Sequence, residues 1–186
     1  MQLRIVLASS LLLISLLGPG CADDAALPEC RPGECECTAS ACECIDDCTA
    51  QCNTAGTCPL LCSGDSRCEI NQGGEGVAAL ICNNNADCKA HNVLDGASLE
   101  CRGESNCDFK ADGPASAVCS GNSECKVEVG DGGSMTCADS ANCDFKCVGT
   151  SCDIECAETA TCDVKCGAAD TDALICDDGR ITCGSC

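Results

Sequence analysis

Tryptophan and tyrosine are absent from this sequence, phenylalanine occurs only twice and histidine once. The missing aromatics are the side chains that dominate most cores and interfaces. Beyond the first twenty residues, 22 of 166 positions are Leu, Ile, Val or Phe. That share, about 13%, is under the roughly 20% below which a highly charged chain is usually disordered. A single histidine leaves a His-based triad or a zinc site little to build from. Basic residues are scarce too: beyond residue 20, nine Lys and Arg stand against thirty Asp and Glu, and the whole chain carries a formal charge of -20. Such a balance argues against nucleic acid and against anionic lipid headgroups, both of which need basic patches. No Gly-x-Ser-x-Gly, phosphate loop or dinucleotide fingerprint is present, so the chain is expected not to be an enzyme and no cofactor is expected.

Cysteine is what the sequence has instead, 27 in all. Cross-links supply what a thin core cannot. In the chain-entropy model each bridge closing a loop of about 15 residues contributes roughly 3 kcal/mol.

Met1 to Gly20 reads as a signal peptide: Arg4, the apolar run Ile5 to Leu17, then Gly18-Pro19-Gly20 before Cys21. The run is short for a membrane span. Export places the cysteines in an oxidising compartment, where disulfides are the default. Gly20-Cys21 resembles the lipobox core of bacterial lipoproteins, in which a small residue precedes the lipidated Cys; Gly18 stands where that family usually has Leu. The resemblance implies a lipid on Cys21 and a place in the cell envelope, at the outer membrane or cell surface. Cleavage and free secretion is the alternative. Removing Cys21 leaves 26 cysteines, an even number.

A Cys-dense stretch from Cys30 to Cys52 follows, with Cys35-Glu36-Cys37 and Cys42-Glu43-Cys44. Beyond it, C-x5-C pairs recur at Cys52/Cys58, Cys62/Cys68, Cys82/Cys88, Cys101/Cys107, Cys119/Cys125, Cys137/Cys143 and Cys156/Cys162. From Cys62 the first members, continuing to Cys176, step by 18 to 20 residues, the mark of a solenoid. Two residues before each first Cys stand Leu60, Leu80, Leu99, Ala117, Met135, Ile154 and Leu174. Two residues after each second Cys stand Ile70, Ala90, Phe109, Val127, Phe145 and Val164. Period two is strand alternation, so these residues face inward with their cysteines. Charged neighbours such as Asp144 and Lys146 face outward. Each coil is then two strands joined by a five-residue turn, with a small inward residue (Gly56, Ser66, Ala86, Ser105, Ser123, Ala141, Ala160) before the second Cys.

Bridged Cα atoms lie within about 7 Å while packed sheets stand about 10 Å apart. Pairing within a coil therefore demands a pinched interior, and bridges between adjacent coils are the alternative. Within-coil pairing is the arrangement expected. The spacing from Cys52 to Cys183 is similar to that of the cysteine-rich beetle antifreeze solenoids, which implies a disulfide across each C-x5-C turn. Their ice-binding Thr-x-Thr rows have no counterpart here, so only the coil logic carries over.

Three further candidates are weak. His91, beside inward Ala90, should be an exposed loop-edge residue. The Cys-x-Cys pairs resemble metallothioneins, which would imply soft-metal capture, but exported thiols oxidise to a disulfide knot. Gly74-Glu75-Gly76 and Asp131-Gly132-Gly133 have oxygen donors for Ca²⁺ without a calcium-loop spacing, and turn chemistry accounts for them.

The expectation is an all-β, disulfide-rich two-sheet solenoid of about seven coils. Residues 1–20 would be a signal peptide, 21–29 a tether, 30–52 a Cys-dense cap and 53–186 the stapled repeats. Its role would be a surface scaffold presenting an acidic face to an unknown protein partner. No nucleic acid and no metal ligand is expected, and membrane contact only through Cys21. Capture of a soft metal or calcium is the alternative.

Overall fold

Pentapeptide turns between short alternating strands leave the chain only one way to bury its apolar rows, by stacking. The computed structural model describes residues 29–30, 36–37, 41–44, 46–51, 56–71 and 76–186. The export signal, Cys21, Cys35, Cys52 and the Gly74-Glu75 part of the early glycine loop lie outside the described residues.

Two short strands come first, β1 (Glu29–Cys30) and β2 (Glu36–Cys37), then β3 (Cys42–Cys44) and β4 (Cys48–Gln51). Strand pairs follow: β5 (Gly56–Cys62) and β6 (Arg67–Asn71), β7 (Gly76–Cys82) and β8 (Asp87–Val93), β9 (Ser98–Cys101) and β10 (Asn106–Ala111). The later pairs are β11 (Ser116–Cys119) and β12 (Glu124–Val129), β13 (Ser134–Cys137) and β14 (Asn142–Cys147), β15 (Asp153–Cys156) and β16 (Thr161–Cys166). Three short strands close the chain, β17 (Thr171–Asp172), β18 (Leu174–Ile175) and β19 (Ile181–Thr182).

Even-numbered strands from β4 to β16 form the first sheet and odd-numbered strands from β3 to β15 the second, each stacked parallel on the next coil. The register aligns like with like: Cys88, Cys107, Cys125 and Cys143 are successive neighbours, and so are Ala90, Phe109, Val127 and Phe145. A β-solenoid results, with six turns carrying the C-x5-C bridge among the described residues.

Both interior rows lie where alternation puts them. Leu60, Leu80, Leu99, Ala117, Met135 and Ile154 are buried, and across from them Ile70, Ala90, Phe109, Val127 and Phe145. The interior is pinched at the cysteine end, where bridged Cα atoms stand 6.3–6.5 Å apart. Phe109 and Phe145 are 1% exposed one alternation step further along, so the space between the sheets widens away from the bridges. A further buried row, Val93, Ala111, Val129 and Cys147, fills that wider part.

The Cys-dense N-terminal stretch also contributes stacked strands, since β3 and β4 pair parallel with β5 and β6. One expectation needs correction. At the other end Cys176 opens no seventh coil. The position six residues on is Thr182, not Cys, and the chain doubles back after Cys166 through Gly167 and Asp170, both at positive φ. Leu174, expected inside, is 54% exposed. Both stack ends are finished the same way: β1 and β2 run antiparallel against β4 and β3, and β17 and β19 against β16 and β15. Antiparallel end strands interrupt the parallel template that would otherwise invite further stacking.

The second residue of successive turns is left-handed: Gly64, Asn84, Gly103, Gly121 and Asp139, with φ from 57° to 76°. Only Gly, Asn and Asp take this conformation readily. The turns also hydrogen-bond to one another, as Asn122 N donates to Gly103 O at 2.7 Å. A Cβ on Gly121 would lie 2.9 Å from the Gly103 backbone nitrogen and oxygen, whereas one on Gly64 meets nothing within 4 Å. Gly64→Ala should therefore cost only the conformational penalty of about 1–2 kcal/mol. Gly121→Ala should cost distinctly more. Chemical denaturation of the two variants with bridges intact checks the order.

Candidate functional site

The cysteines account for the interior. Cys62–Cys68, Cys82–Cys88, Cys101–Cys107, Cys119–Cys125, Cys137–Cys143 and Cys156–Cys162 are each bridged within their coil. Cys58 is also disulfide-bonded, while its expected partner Cys52 lies outside the described residues, as does the lipidation candidate Cys21. Among the described residues, four further bridges escaped the reading of the spacing: Cys44–Cys48, Cys147–Cys152, Cys166–Cys183 and Cys176–Cys186. Cys147 was legible in principle, because it continues the inward alternation of β14.

Stacking brings sulfurs of neighbouring coils together. Those of Cys82, Cys88 and Cys107 lie within 4.8 Å of one another, and so do those of Cys101, Cys107 and Cys125. Each trio contains a bridged pair, and a bridged sulfur is not the thiolate a soft metal needs. Asp131, in the later glycine loop, uses its carboxylate on protein: Oδ1 accepts hydrogen bonds from the backbone nitrogens of Thr150 and Ser151 of the next coil, the latter at 3.2 Å.

The outside differs from face to face. On the second sheet the outward residues of β5 and β7 are uncharged, with Pro59, Leu61, Val77, Ala79 and Ile81 half-buried. A row of Ser98, Ser116 and Ser134 continues from Ala79. The first sheet is the reverse. All five lysines of the chain, Lys89, Lys110, Lys126, Lys146 and Lys165, are on its outward positions. With Arg67 they make six cations against seven carboxylates between Glu69 and Asp163, a net of -1 on a chain of -20. Six of the nine basic residues beyond residue 20 therefore share one face.

That face has two kinds of lysine. In the outer column Lys110 pairs with Glu128 at 2.9 Å, Lys146 with Asp170 at 2.7 Å and Lys165 with Asp172 at 2.8 Å. The hydrogen bond it donates to Asp170 raises the Lys146 ammonium above its ordinary range, and the one donated to Asp172 does the same for Lys165. In the inner column the register sets Glu69, Lys89, Asp108, Lys126 and Asp144 side by side. Lys89 and Lys126 are exposed there with no ion pair among the described residues. A depression of about 400 Å³ runs beside this column, bounded by Lys89, Asp108, Lys126 and Asp144.

His91 is on strand β8 rather than a loop edge, and it is half-buried. Its Nε2 is 3.0 Å from Asp108 Oδ1, yet the approach lacks hydrogen-bond direction and leaves the nitrogen without a hydrogen-bond partner. No protein-family model, curated protein or solved structure matches the chain.

Proposed function

We propose that the protein is an exported, disulfide-stapled scaffold, tethered by lipid at Cys21, whose rigid outer faces engage a protein partner. The observation that carries the reading is the sorting of side chains: bridges and small apolar residues fill the interior, while the charge chemistry stands on flat, register-locked outer faces. Extended solenoid surfaces of this kind are commonly binding surfaces rather than reaction sites. So many bridges belong to an oxidising compartment, which suits export. The excess negative charge stands off the first sheet, at turn positions such as Asp65, Glu104, Asp139 and Glu158 and at Glu43, Asp153 and Glu155 on the second sheet.

Mass spectrometry of the exported protein after alkylation tests both halves of this reading. The expected result is a diacylglycerol-modified Cys21 and no alkylated cysteine between Cys62 and Cys166. An unmodified Cys21 on a soluble protein would end the anchor. Alkylated thiols in clusters would replace the scaffold with metal capture. Cys21→Ser is expected to move the protein from the membrane fraction to the soluble fraction or to stall its processing.

A further inference from the structure

We propose that the outer face of the first sheet is a self-association surface, and that its partner is a second copy of this chain related by a two-fold axis. The argument starts from the inner column, which reads minus, plus, minus, plus, minus from Glu69 to Asp144 in successive coils. A two-fold axis lying in the face, along the strand direction and between the Lys89 and Asp108 strands, reverses the order of coils and keeps each column opposite itself. Lys89 then meets Asp108 of the second copy, and Asp108 meets its Lys89. One coil further out, Glu69 meets Lys126 and Lys126 meets Glu69. The neighbouring column complements itself under the same axis: Arg67, in register with Asp87, comes opposite Glu124, in register with Asn106. Sliding one copy past the other by one coil, which moves the axis by half a coil onto the Lys89 strand, sets Lys89 against Lys89 and Glu69 against Asp108.

Two independent observations single out this column. Lys89 and Lys126 carry no ion pair among the described residues, although every lysine of the adjacent column is paired. The depression beside them gives the side chains of a facing copy somewhere to enter. The face is also nearly charge-neutral on a strongly acidic molecule, so two copies meeting there repel little.

The size of the face sets the strength. Six overlapping coils at about 4.8 Å, with strands of about 17 Å, give each copy roughly 500 Å². That is near 1,000 Å² in total, the range of transient contacts. Association is therefore concentration-dependent and weakened by salt. This deepens the scaffold reading by naming its partner.

The test is sedimentation velocity on the purified, disulfide-intact protein, in a non-ionic detergent if it carries lipid. The wild type should associate at low ionic strength and dissociate as salt is added. Lys89→Glu and Asp108→Lys should each weaken association at least about tenfold, because symmetry turns both central pairs into like-charge pairs. The double variant, and an equimolar mixture of the two single variants, should recover it. Circular dichroism on the same samples reads whether the outward substitutions leave the sheets intact. A wild type that stays monomeric at low salt and high concentration overturns the proposal. So do single variants that associate like wild type, or a mixture that recovers nothing. None of these results disturbs the scaffold reading, which stands on the state of Cys21 and the bridged thiols.

Discussion

Reduction of the bridges without denaturant is expected to abolish the β-sheet signal in circular dichroism. Each strand of the stack contributes about one sizeable apolar residue to the interior, and several of these are only Ala, such as Ala90 and Ala117. The six C-x5-C bridges close very short loops, each worth roughly 2–3 kcal/mol in the chain-entropy model. Together they reach the whole 5–15 kcal/mol by which a typical domain is stable. The order of reduction should follow exposure. Cys156 and Cys162 are half-buried and Cys186 is exposed, whereas the bridged sulfurs from Cys62 to Cys143 belong to residues at most 1% exposed. Opening should therefore begin at the C-terminal end and reach the middle coils only as the stack unfolds. Timed alkylation with mass spectrometry reads that order while circular dichroism follows the sheets. A fully reduced protein that keeps its signal and melts cooperatively would mean that packing, not stapling, holds the fold.

Phe145→Ala should destabilise the bridged protein by about 3 kcal/mol or more, the range for emptying a large buried site. Phe145 is 1% exposed between Val127 and Val164, and the stacked backbone on either side is held by bridges and cannot collapse into the space. Its neighbours face the other way. Asp144→Ala should stay within about 0.5 kcal/mol, as surface changes usually do. Lys146→Ala should stay small as well, because its pair with Asp170 is exposed to solvent. Leu174→Ala should also be mild, in contrast to its equivalents Leu80 and Leu99, because Leu174 is 54% exposed. Denaturant midpoints for the four variants decide the matter. Equal costs at 144, 145 and 146 would be the mark of a slipped register, since one residue of slip sends every side chain to the opposite face.

Most of a single coil is local, and local features were legible. Cysteine spacing, the apolar row two residues before each first Cys and the small residue before each second Cys all follow from period two along one strand. They located Leu80, Phe109, Ser105 and Phe145 inside without reference to any other coil. The left-handed turn position was less visible, since Asn84 and Asp139 serve there as well as Gly. At Cys176 the clue was a missing one: the absent C-x5-C partner, with Thr182 in its place, marked the end of the repeat.

What the sequence determined by itself is therefore the coil: two strands, a tight turn and the alternating direction of the strand side chains, because alternation and turn chemistry act between residues a few positions apart. What only the tertiary structure decided is everything that depends on stacking. The choice of within-coil bridges required the pinch of 6.3–6.5 Å between bridged Cα atoms. The reversal after Cys166 and its bridge to Cys183 required the end of the stack, where no further coil covers the edge. The gathering of all five lysines on one face required the register, because residues 18 to 20 apart become neighbours only when the coils lie on one another. Charge summed along a chain says how much there is; the fold decides where it stands.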